Sequence, residues 1–125
     1  VLLLAWLFQS GTSSVIQGIK LLSISESISK VNHDKGVFID IRQEDSFAKG
    51  HIVNSVNIPL DSLADKPKRL PRAKSKPIIV VCQVGQSAIK GAKLLEEAGY
   101  ENVFVLRGGI KDWQYAEMPL VGENS

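Results

Sequence analysis

The sequence predicts an α/β fold with a central, mostly parallel sheet flanked by helices on both sides. Short apolar runs rich in β-branched residues recur as "VFIDI" (37–41), "PIIVV" (77–81) and "VFVL" (103–106). Segments of helical period lie between them, most clearly "SISESISKVNHDKG" (23–36) and "SAIKGAKLLEEAG" (87–99). Strands alternating with helices make crossover units, and crossovers make parallel sheets.

The elements follow in order. Ser23 with Glu26 three residues later is a capping-box pattern, and Ile24, Ile28 and Val31 continue at helical spacing until Gly36. The run 37–41 is a strand. "QEDSFAKG" (43–50) is a short helix, acidic at its start and closed by Lys49 and Gly50. "VNI" (56–58) is a brief strand before Pro59, and "DSLADKPKRL" (61–70) a short helical piece interrupted at Pro67. The unbroken apolar run 77–81 suits a central strand buried on both faces. In the helix 87–99, Ala88, Ala92 and Leu95 with Ile89 and Leu94 make the buried face, and Gly99 caps it. After the strand 103–106, "GGIKDWQYAEM" (108–118) carries a last helix, stopped by Pro119, with Trp113 packing it onto the domain.

The chain of 125 residues is the size of one domain, with 44% hydrophobic and 22% charged residues, an ordinary globular balance. A net charge of +2, with no basic run interleaved with aromatics, argues against a nucleic-acid partner. The most basic stretch, "DKPKRLPRAKSKP" (65–77), reads through its prolines as a solvated connector. One cysteine and two histidines, His33 and His51, give neither an internal disulfide nor the spacing of a zinc site, so a reducing compartment, no metal and no cofactor are expected.

That single cysteine, Cys82, stands directly after the strand 77–81. In an open α/β sheet, ligands sit at the carboxyl ends of strands. The loop "QVGQ" (83–86) follows, and a helix starts near Ser87. A helix N-terminus presents unpaired N–H groups and partial positive charge, and a tight loop of successive N–H groups forms an anion-binding nest. Both stabilise negative charge on a sulfur placed there. Gly85 supplies the backbone freedom for the curl. The bland alternative is a buried cysteine serving as a small hydrophobe at a strand end.

Three blocks in order carry a family resemblance: "VFIDIRQEDSFAKGHIVNSVNIP" (37–59), "IIVVCQVGQSA" (78–88) and "VFVLRGGIKDW" (103–113). Together they resemble the rhodanese-like superfamily in its single-domain form, over about residues 19–120. The resemblance implies a sulfurtransferase of the thiosulfate sulfurtransferase type. Sulfane sulfur would pass from a small donor, thiosulfate or a persulfide, to Cys82 and on to a thiol or protein acceptor. The backbone of Gln83, Val84, Gly85, Gln86 and Ser87 would cradle the persulfide. Many family members carry basic residues in this loop; here Ser87 stands where arginine is common, so a persulfide donor is expected over thiosulfate. The related phosphatases end a longer loop with arginine, where this chain has Ala88, so phosphatase activity is not expected.

Asp40, Arg42 and Arg107 are secondary candidates. Asp40 and Arg42 follow the strand beside the central one; they border the site or order its loop, for example through an ion pair with Glu44. Arg107, with Gly108 and Gly109, follows the last strand and would border the pocket. His51, in "GHI", is expected to be structural and His33 to be on the surface.

The first residues, "VLLLAWLF" (1–8), form an apolar run too short to span a bilayer alone. It fits the end of a membrane anchor with Trp6 at the interface, the remnant of a signal segment, or a short helix packed on the domain. The expected organisation is an anchor end or N-terminal helix plus linker at 1–18, the domain at 19–120 and a tail at 121–125. Lys20 and Lys30 lean towards a cytoplasmic domain, anchored to the inner or plasma membrane. Against the enzyme stands a second reading, a catalytically weak docking or persulfide-sensing module at a membrane.

Overall fold

The computed structural model describes residues 14–122. The expectations for residues 1–13 and for the last three residues, the membrane anchor among them, lie outside the described residues. Among those described, no helix is long and apolar enough to cross a membrane.

The described elements are β1 (Ser14–Ile16), β2 (Ile19–Leu22), α1 (Ile24–Asp34), β3 (Val37–Asp40), α2 (Glu44–Lys49), β4 (Val56–Asn57), α3 (Leu60–Leu63), β5 (Ile78–Val81), α4 (Gln86–Glu97), β6 (Val103–Leu106) and α5 (Gly109–Tyr115). The strands form one sheet in the order β1-β2-β6-β5-β3-β4. Only the β1–β2 pair is antiparallel.

β5 lies between β3 and β6, and all four of its residues are completely buried. Its side chains alternate between faces. Ile78 and Val80 join Ala88, Ala92 and Leu95 of α4 and Leu63 of α3 in one core layer. Ile79 and Val81 join Phe38, Ile110 and Trp113 in the other, against which Ile24, Ile28 and Val31 of α1 also pack. Helices therefore cover both faces, as the all-apolar run at 77–81 demands.

The capping box at Ser23 is present: Glu26 N–H donates to Ser23 Oγ at 3.1 Å, and Ser23 N–H to Glu26 Oε1 at 2.8 Å. The far end of α1 differs from expectation. Lys35 takes the left-handed conformation at φ 60°, and Gly36 N–H reaches back to Lys30 O at 3.0 Å. A β-carbon on Gly36 would stand 3.1 Å from that carbonyl, so the glycine provides close approach while the lysine makes the turn.

The hairpin β1–β2 is absent from the sequence reading, which placed a linker up to residue 18. Gln17 and Gly18 both have positive φ, 52° and 84°, between the paired Ile16 and Ile19. Such two-residue turns match the twist of a hairpin. β2 then pairs in parallel with β6, and its Ile19 and Leu22 are buried.

α5 docks end-on against the loop after β5. Ile110 N–H donates to Cys82 O at 2.9 Å and Lys111 N–H to Gln83 O at 3.0 Å. Gly108 and Gly109 permit this, with φ of 75° and 60°. A β-carbon on Gly109 would lie 2.2 Å from Cys82 O, well inside contact distance. Trp113 completes the dock, its ring edge-on to Phe38 at 5.8 Å and its Nε1–H donating to Pro119 O at 3.0 Å. Gly109→Ala should therefore cost about 3 kcal/mol or more, combining backbone strain with a displaced loop. Urea unfolding checks this through a lowered midpoint, and a change under about 0.5 kcal/mol would contradict the tight dock.

Candidate active site

Cys82 is 4% exposed and sits where β5 ends, at the carboxyl edge of the parallel strands. Its Sγ accepts a hydrogen bond from Gly85 N–H at 2.9 Å, so the chain curls round the sulfur within three residues. Gly85 makes the curl with φ 101°, and its position is crowded: a β-carbon there would lie 3.3 Å from Gly108 N.

The dock of α5 also sets the direction of the loop amides. A trans peptide points its N–H opposite its C=O. With Cys82 O and Gln83 O both aimed at the first turn of α5, the N–H groups of Gln83 and Val84 turn the other way. Gly85 N–H faces the sulfur, and α4 then begins without any side-chain cap. Its first-turn N–H groups, from Gln86, Ser87 and Ala88, thus lack intrahelical acceptors. Gln83, Val84, Gln86 and Ser87 are exposed, Val84 at 48%. Gly85 N–H is thus the backbone donor on the thiol, and the uncapped start of α4 follows it directly. No charged side chain belongs to residues 82–88.

Positive charge enters from the neighbouring strand. Arg42 pairs with Asp40 rather than Glu44: Nε lies 3.0 Å from Oδ1 and Nη2 2.9 Å from Oδ2. The side chains are 10% and 1% exposed, and Arg42 N–H adds a bond to Oδ1 at 3.0 Å. Nη2 also donates to Gly50 O at 2.7 Å, which ties the end of α2 to β3. Asn57, buried in β4, donates from Nδ2 to the carbonyls of Asp40 and Arg42, both at 3.0 Å. Breaking such a buried pair from one side costs about 3–5 kcal/mol, so Asp40 serves chiefly to hold Arg42.

A cleft of about 550 Å³ opens beside the loop, lined by Arg42, Lys49, Gln83 and Gln114 and walled by Leu120–Gly122. Cys82 does not itself line it; Gln83 does. Among the described residues its charged lining is Arg42 and Lys49, with no carboxylate. The wall is held by His51, whose backbone exchanges hydrogen bonds with Val121, both at 2.8 Å. The His51 ring stacks on Phe47 at 3.8 Å, with Nδ1–H donating to Phe47 O at 2.8 Å. This histidine is a structural clamp. His33 is exposed. Arg107 lines a separate groove with Ser23, Ser25 and Asp112 and does not reach the cleft.

Gln83 of the loop 83–87 thus shares the cleft with Arg42, which Asp40 holds; Cys82 lies at the base of the loop, outside the lining, and Arg107 borders a different groove. Lys49, Gln114 and Leu120–Gly122 were not singled out in the sequence as site residues. They converge from α2, α5 and the last described segment, and no local pattern marks them.

Comparison with known proteins agrees with this geometry. Residues 23–116 match the family described as the rhodanese-like domain. The uncharacterized protein YibN of Escherichia coli is 37% identical over 97% of this chain and 82% of its own length. A rhodanese-related protein of Thermoplasma volcanium superposes with a TM-score of 0.71 at 27% identity, covering 82% of this chain and 97% of that one. A human single-domain sulfurtransferase shares the fold with a TM-score of 0.68 at 20% identity, over 76% of this chain and 95% of that one. With the family matched across most of the described residues, and with the strand, loop and helix around Cys82 in place, the chain belongs to the rhodanese-like domain family.

Proposed function

We propose that this protein is a sulfurtransferase that carries sulfane sulfur as a persulfide on Cys82. The observation that carries the reading is the setting of Sγ. It accepts from Gly85 N–H at the base of a loop whose carbonyls are drawn away by α5. It also faces the start of a twelve-residue helix with no side-chain cap. Fixed backbone donors need no reorganisation as charge moves outward onto a terminal sulfur.

The chemistry balances without a cofactor. The Cys82 thiolate attacks the outer sulfur of a donor persulfide, RSS⁻. A new S–S bond forms on Cys82, the donor bond breaks, and RS⁻ leaves with the electron pair. An acceptor thiolate then attacks the outer sulfur of the cysteine persulfide. The product is the acceptor persulfide, and the Cys82 thiolate is restored. The outer sulfur would be held by the backbone N–H groups of residues 83–87, with Gly85 N–H already on Sγ. Thiosulfate would leave as sulfite, a dianion on departure. With no cation in the loop, that leaving group gains less stabilisation than a thiolate, which favours a persulfide donor.

Arg42 and Lys49 support an anionic donor or acceptor held in the cleft. Arg42 is fixed by Asp40 and Gly50, while Lys49 is exposed and adaptable.

Incubating the protein with a glutathione persulfide, and separately with thiosulfate, should give a reductant-sensitive gain of one sulfur atom by intact mass. The persulfide should be the faster donor, and Cys82→Ser should gain none. A folded protein with a free thiol that takes sulfur from neither donor would leave the docking-module reading instead. In turnover, Lys49→Gln should raise KM for the anionic persulfide by about three- to tenfold with kcat nearly unchanged, as expected for one partly exposed charge contact. An unchanged KM would remove Lys49 from the site.

A further inference from the structure

The basic stretch at 65–77 is ordered. Leu70 is buried, and the Tyr100 hydroxyl donates to Pro71 O. Lys74 Nζ donates to Ala98 O at 3.1 Å and lies 4.0 Å from the Tyr100 ring centroid. Asn102 Nδ2 holds Ser75 O at 2.7 Å. The stretch carries six of the fifteen lysines and arginines of the chain and one of its thirteen acids.

Together with the sheet edge it encloses a groove of about 380 Å³. Half-buried Val37 and Val56, over the fully buried Ile39, form an apolar floor, and Arg69, Arg72 and Lys76 line it with positive charge. None of these three cations takes part in an ion pair among the described residues. β4, the edge strand, pairs with β3 over two residues only, so the groove lies along a short sheet margin.

We propose that this groove docks an acidic segment of a partner protein that places one apolar side chain on the floor. Three rim cations round an apolar floor match, in charge, carboxylates flanking one apolar anchor. A membrane surface fits less well. The floor is recessed, and the large exposed apolar side chains among the described residues, Val15, Ile16, Val53, Val84, Tyr115 and Val121, do not line it. Nucleic acid fits less well too, for among the described residues no exposed aromatic lines the groove with the cations.

The groove is remote from the thiol. Lys76 precedes β5 and Cys82 follows it, roughly 20 Å apart along a strand rising 3.3 Å per residue. Docking would thus leave the loop free to react. The inference stands independently of sulfur transfer.

The test uses the full chain, isotopically labelled, titrated with a synthetic peptide of aspartates and glutamates around one leucine. Amide shifts should move at Val37, Val56 and 69–76 and saturate. Replacing the peptide leucine by alanine should weaken binding. The combined reversal Arg69→Glu, Arg72→Glu and Lys76→Glu should weaken it by at least about tenfold, while Lys20→Glu with Lys90→Glu changes it by less than about threefold. Cys82→Ser should bind like the parent. Circular dichroism shows whether each variant is folded, and the shift map on the unaltered chain stands whatever the variants do. The proposal is overturned by no saturable binding, by shifts elsewhere or by equal loss in the control reversal. It is also overturned if the leucine proves irrelevant, or if anionic vesicles or duplex DNA displace the peptide from the same residues.

Discussion

The close approach of α5 to the loop after β5 is the constraint on which the site depends. Two main-chain hydrogen bonds, from Ile110 and Lys111, take up the carbonyls of Cys82 and Gln83. Each contributes only about 1 kcal/mol net, yet together they decide which way the loop amides point. Were those carbonyls turned inward, the sulfur would face acceptors and negative charge on it would be opposed. The glycines at 85, 108 and 109 meet at this junction, each with positive φ, and two of them sit where a β-carbon would strike main-chain atoms or lie within 3.3 Å of them. Backbone packing and the proposed sulfur chemistry thus make the same demand on the same residues.

Charge is arranged by a different means. The loop itself is neutral, and a fixed cation stands just past β3, two residues beyond a buried aspartate. An isolated buried carboxylate is expensive, but three contacts from the Arg42 guanidinium and one from its backbone N–H satisfy Asp40. In return the guanidinium is immobilised at the cleft. A residue anchored in this way is pre-organised for an anion, whereas Lys49 must give up side-chain entropy to meet one. The two cations are therefore unequal instruments, one for position and one for reach.

Much of this was legible in sequence because local and global demands agree. The run 77–81 is apolar on both alternate sets, so it had to be central; Ser23 and Glu26 name a helix start; Cys82 before a glycine loop and a helix names the sharp turn from β5 into α4. The failures share a cause. In β1–β2, a glutamine adopts the left-handed conformation, and polar residues around it masked the hairpin. The partner of Arg42 was sought two residues ahead in Glu44, when Asp40, two residues behind, lay on the same side of an extended backbone. Arg107 leaves β6 at the correct end of the sheet but turns to the α1 side. The cleft wall is assembled from residues far apart in sequence, and periodicity carries no trace of it.

That wall has a thermodynamic character of its own. Val121 bridges to His51, Leu120 packs on the core, and Gly122 lies so close to the end of α2 that a β-carbon there would stand 2.8 Å from Ala48 O. The wall is thus seated on the same helix end that Arg42 ties to β3 through Gly50 O. Both sides of the cleft are set before anything enters it. A pre-formed cleft spends less of its contact energy on ordering the chain, so more is left to tell one occupant from another.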